Sequence, residues 1–149
     1  MKFTYLRIPI KEPGRKWISR PIIPVTLFGP KGSITVDALI DSGADRCLFH
    51  ADLGREIGLE LEKGEKEIFG GIEGGRILAF RHKIQIQIVG IDEKAEVLAG
   101  FASTPGIFAI LGQEGFFDAF RIKFEKDHNV FEITPVRKKD RIKKSLKKS

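Results

Sequence analysis

Leu39-Ile40-Asp41-Ser42-Gly43-Ala44-Asp45 runs from an apolar segment straight into an acid, a hydroxyl residue, a glycine, a small residue and a second acid. The residues before it, Ser33-Ile34-Thr35-Val36-Asp37-Ala38-Leu39-Ile40, are β-branched and apolar enough to form a buried strand. A carboxylate at the end of such a strand, followed at once by a turn glycine, does little for stability. A buried charge is costly unless it is paired or used. The Asp-Ser-Gly stretch occurs once, and no internal repeat supplies a second copy.

The rest of the chain is consistent with one domain. It has 149 residues, enough to bury a core, and a hydrophobic share of 42% with 31% charged residues, ordinary for a globular protein. Its 16 glycines and recurring turn signals favour many short strands over long helices. The opening MKFTYLRIPIKEP holds no apolar run of signal-peptide length, and no later run reaches membrane-spanning length. The expectation is a soluble, cytoplasmic protein.

Cys47 is the only cysteine, which excludes an internal disulfide and a thiolate metal cluster. It reads as a small buried hydrophobe. His50, His82 and His128 lie far apart without ligand-like spacing, so no metal site and no cofactor is expected. The net charge of +6 is concentrated in a tail. Residues 136–149 hold eight basic residues, from Arg137 to Lys148, against Asp140, a net +7 that leaves the first 135 residues at −1. Such a segment is too basic to fold alone. It is either a solubilising extension or a weak attachment to an anionic partner, nucleic acid or a membrane surface. The expected organisation is a folded domain over 1–135 and a basic tail over 136–149.

The pattern predicts strands at Lys2–Ile10, Pro24–Phe28 and Ser33–Ile40, the last two joined by a turn at Gly29-Pro30-Lys31-Gly32. A loop holds Pro13-Gly14, and Ala51–Ile57 suits a short helix capped by Gly58. Glu67–Phe69 and Arg76–Phe80 flank the glycine-rich Gly70-Gly71-Ile72-Glu73-Gly74-Gly75, a hairpin with a flexible tip. Ile84, Ile86 and Ile88 alternate with Gln85 and Gln87 along Lys83–Val89, the period of a half-buried strand. Ala95–Phe101 and Ile107–Leu111 follow as strands, then one or two helical turns within Gln113–Phe120. A last hairpin joins Arg121–Phe124 to Val130–Ile133.

Three separated segments resemble one family, in order. Ala38–Asp45 is similar to the catalytic segment of retroviral-type aspartic proteases (retropepsins), Ile68–Gly75 to their flap tip, and Ala109-Ile110-Leu111-Gly112-Gln113 to their apolar-apolar-Gly strand and helix start. The continuation Gly115-Phe116-Phe117-Asp118 looks more like cellular or microbial members than viral ones. The resemblance implies an all-β fold: a closed, barrel-like half-lobe with one or two short helices and a flap hairpin, working as a symmetric homodimer. Two positions depart from the viral pattern. Gln113 stands where viral enzymes carry an arginine that pairs with the second acid, here Asp45. Glu73 replaces a small residue in the flap.

The resemblance further implies an aspartic endopeptidase acting on a polypeptide substrate, with Asp41 as the catalytic acid. Asp37 lies four residues earlier on the strand, roughly 13 Å away, and Asp45 would face the cleft, so neither completes a dyad. A second Asp41 from another copy would do so. Ser42 and Gly43 would support the active-site loop, Ser42 by bonding across the dyad and Gly43 by letting the backbone pass close to the carboxylates. Ala44, Asp45, Gly70, Gly71 and Ile72 would bind substrate, with Ile72 as an apolar lid. Leu48, Phe69, Ile107 and Ile110 are candidate subsite residues. The glycine-rich segment is no phosphate loop, since Ile72 occupies a required glycine position and no Lys-Ser/Thr follows. No Gly-x-Ser-x-Gly elbow makes Ser42 a nucleophile. The rival expectation is a catalytically inactive protease-fold module, a dimeric peptide-binding or nucleic-acid-associated scaffold.

Overall fold

Tight turns and β-branched runs set most of the chain into strands, as a computed structural model describes for residues 1–70, 75–106 and 108–137. β1 (Lys2–Thr4), β2 (Leu6–Glu12) and β3 (Arg15–Arg20) precede β4 (Ile22–Gly29) and β5 (Gly32–Ile40). β6 (Leu48–His50) leads into helix α1 (Ala51–Glu56), then come β7 (Glu65–Gly70), β8 (Arg76–Ile88) and β9 (Lys94–Ala102). β10 (Ala109–Leu111), helix α2 (Phe116–Ala119), β11 (Phe120–Glu125) and β12 (Val130–Pro135) complete the fold.

The main sheet runs β4-β5-β10-β6-β9-β8-β7, and a further pairing of β4 with β8 closes it on itself. Six strands thus form a closed barrel, with β7 outside the ring, pairing along β8. Val25↔Ile88 and Leu27↔Ile86 lie at the closure. The barrel is filled by the inward residues Ile23, Val25 and Leu27 of β4, Ile84, Ile86 and Ile88 of β8, and Phe101 of β9, all buried. Each fully buried side chain of this size contributes about 1.5–3 kcal/mol. Helix α1 covers one end with Leu53. Its N-terminus is capped by His50, whose Nδ1 accepts the Asp52 N–H at 3.1 Å.

A second sheet, β1-β12-β11, joins the two ends of the described chain. Phe131 is its centre, stacked on Phe3 at 5.6 Å and meeting Tyr5 edge-on at 5.2 Å. The expected fold class, an all-β barrel with two short helices, is what the chain adopts.

Several element boundaries differ from expectation. The strand expected at Lys2–Ile10 is two strands, because Tyr5 turns inward and its N–H donates to Asn129 O at 3.2 Å. Arg15–Arg20, where no strand was expected, pairs with β2 across Pro13-Gly14. The strands expected at Arg76–Phe80 and Lys83–Val89 are one continuous β8. The strand expected at Ile107–Leu111 is described from Ala109 onward, Ile107 lying outside the described residues. Val136 is still tied to the fold, its N–H donating to Ala119 O at 2.8 Å, and residues 138–149 lie outside the described residues.

Candidate active site

β10 inserts between β5 and β6, parallel to the first and antiparallel to the second. The loop joining β5 to β6, residues 41–47, must therefore pass across the end of β10. Asp41 opens this loop, and its N–H donates to Leu111 O at 2.9 Å. Further along, Gln113 N–H donates to Ala44 O at 2.8 Å and Glu114 N–H to Asp45 O at 2.9 Å. The Gln113 side chain adds a bond of its own, Nε2 to Ser42 O at 2.8 Å. Gly112 makes the close approach possible: a Cβ there would stand 2.3 Å from Arg46 O and 2.7 Å from Ala44 O.

Within the loop, Gly43 N–H donates to Asp41 Oδ1 at 2.9 Å and Ala44 N–H to Asp41 O at 3.1 Å, a side-chain-assisted turn. A Cβ on Gly43 would lie 3.2 Å from that same carboxylate oxygen. Asp41 is half-buried, and no ion pair reaches its carboxylate among the described residues. The carboxylate is held in place without being neutralised.

The other candidate residues fall as follows. Ser42 and Asp45 are exposed and Ala44 is half-buried. Asp45 has no ion pair among the described residues, and Gln113, at the departure from the viral pattern, bonds the loop backbone at Ser42. Gly70 closes β7 opposite Arg76. Gly71, Ile72 and Glu73 lie outside the described residues. Leu48, Phe69 and Ile110 are half-buried. Cys47 is fully buried, and burial pushes its thiol up to about 11, against the opposing pull of the Gly112 and Phe116 backbone amides.

One group of residues was not foreseen from the sequence. Arg46, next after Asp45, places Nε 3.1 Å from Glu67 Oε1 and a terminal nitrogen 3.3 Å from Glu114 Oε2. Glu67 Oε2 lies 3.3 Å from Arg81 Nε, and Arg81 is also 3.7 Å from Glu65. The five charges alternate in sign across four separate stretches of chain, so no local spacing announces them.

No protein-family model matches the chain, and no curated protein does. Among solved structures the chain is similar to EIAV protease complexed with the inhibitor HBY-793, at 20% sequence identity and a TM-score of 0.48, over 69% of this chain and 88% of that one.

Proposed function

We propose that the protein is an aspartic endopeptidase whose active form is a homodimer with one Asp41 from each subunit. The observation that carries this is the state of Asp41: fixed by its own N–H on Leu111 O and by the Gly43 amide on Oδ1, yet unpaired with any cation among the described residues. A carboxylate buried for structure is ordinarily neutralised by a partner, and half-buried Asp41 has none among the described residues.

One chain supplies one such acid, so the second must come from a second copy meeting it across a two-fold axis. Two carboxylates about 3 Å apart cannot both ionise, and they share one proton. The ionised member takes a proton from the water between them as that water attacks the scissile carbonyl. The protonated member donates to the carbonyl oxygen as it becomes tetrahedral. Collapse of the intermediate expels the amine, which takes the dyad's proton on its nitrogen, while a hydroxyl of the tetrahedral carbon returns its proton to the dyad as the new carboxyl forms, so the pair is again singly protonated. The titration belongs to the dyad as a unit. The β7–β8 hairpin, with Gly70 at the described end of β7, suits a flap that pairs its backbone with an extended substrate and excludes water.

The test is cleavage of a peptide library by wild type and by Asp41→Asn. Loss of all cleavage in Asp41→Asn, with its circular dichroism and sedimentation unchanged, is expected. Equal cleavage by the two proteins, or none by wild type at any pH, overturns the assignment. Pepstatin-type inhibition is a side check.

A further inference from the structure

β7 is an edge strand. Its main-chain partner among the described residues is β8, and it makes no ladder with the catalytic loop. What joins the two is a set of side chains: Glu114, Arg46, Glu67, Arg81 and Glu65, in that spatial order and with alternating sign. The end members stand in water, with side chains 61% and 77% exposed, whereas Arg46, Glu67 and Arg81 are 20%, 23% and 19% exposed.

We propose that this ladder is a positioning device that registers the β7–β8 hairpin against the catalytic loop, with Arg46 and Glu67 as its positioning residues. Arg46 is bonded covalently to Asp45, so any shift of its guanidinium is felt by the loop that carries Asp41. Glu67 is three residues before Gly70 on β7, so its carboxylate marks the height of the hairpin above that loop. Each oxygen of Glu67 meets a different arginine, one from the loop side and one from β8. A single carboxylate therefore sets the spacing of both.

The ladder also holds slack. An Arg46 terminal nitrogen, Glu67 Oε2 and Arg81 Nε are shut off from solvent, yet none makes a well-aligned hydrogen bond, although the ion-pair distances are short. Buried polar atoms in a finished structural network are nearly always bonded. Small displacements of β7 relative to the loop can improve those angles. The ladder thus has room to tighten as β7 shifts against the loop. The consequence for catalysis rests on the protease assignment, but the positional claim does not.

The test measures amide hydrogen exchange along the chain together with kcat and KM, in wild type, Glu67→Gln and Arg46→Lys. Glu67→Gln is isosteric and leaves two guanidiniums facing each other. Exchange in β7 is expected to rise about tenfold, with β4 and β5 unchanged. KM is expected to rise by a similar factor, with kcat moving less. Arg46→Lys, which keeps the charge and loses the planar fork, should fall between the two. Unchanged exchange in β7, or a uniform rise that includes β4 and β5, overturns the proposal. If wild type cleaves nothing, the protease assignment falls, while the exchange pattern still decides the ladder.

Discussion

Cys47 illustrates how burial alone fixes the chemistry of a side chain. Its Sγ donates weakly to Glu114 O at 3.8 Å, and no water reaches it. The thiolate is the reactive form, so a thiol pushed up to about 11 should be inert to Ellman's reagent at pH 8 until the protein unfolds. The sign of the stability effect follows. The ordinary value is 9.0, so folding favours the neutral thiol: its contribution is intact below pH 9 and is lost as pH rises through about 11. The loss amounts to about 2–3 kcal/mol at most. Burial raises the Tyr5 phenol above its ordinary value as well. The comparison of wild type with Cys47→Ala in urea unfolding from pH 8 to 11 isolates the thiol, and the Ala variant should show the shallower decline. At this scale the sequence was readable where chemistry is local. Asp41, Ser42 and Gly43 sit in one tripeptide, and the tight fit of Gly43 against the carboxylate follows from residue type. Gln113 was visible only as a departure from an arginine, because its bond to Ser42 O spans 71 positions. Arg46 and Glu67 gave no signal for the same reason.

Between elements, the decisive contact is the passage of the 41–47 loop over the end of β10. Gly112 stands where that passage is tightest, with backbone atoms of Arg46 and Ala44 as its neighbours. Backbone cannot swing aside as a side chain can, so Gly112→Ala should destabilise by about 1–3 kcal/mol. Thermal unfolding would register the loss, and a midpoint equal to wild type would contradict the fit described. Elements with a clean period were legible: the Ile84-Ile86-Ile88 alternation lies buried along β8, and the Gly29–Gly32 turn joins β4 to β5. The continuity of β8 was hidden because Arg81 and His82 interrupt the apolar pattern. Tertiary partners satisfy both: His82 Nε2 bonds with Leu61 O at 2.9 Å, and Arg81 meets Glu67. β3 escaped notice because most of its residues are exposed and half are charged, and it is held by pairing with β2.

For the whole molecule, barrel closure by β4 and β8 joins residues about sixty positions apart, which no window of sequence discloses. The terminal sheet is likewise non-local, with Met1 and Ile133 exchanging bonds of 2.9 Å in both directions. In the proposed dimer a second copy would meet the rim around Asp41, since β1, β12 and β11 already pair within one subunit. A dyad split between subunits makes the active fraction depend on concentration. Specific activity should fall on dilution through the dimer dissociation constant, in step with the dimer fraction from sedimentation. Activity proportional to concentration in a monomeric sample would rule out the shared dyad.

Fastening the Asp41 loop with a neutral amide matters most in acid. In such a medium a guanidinium–carboxylate tie slackens once the acid is protonated. Gln113 Nε2 and Ser42 O have no proton to take up, so the 2.8 Å bond between them does not rest on a carboxylate's charge. The loop can keep its shape where surface ion pairs let go.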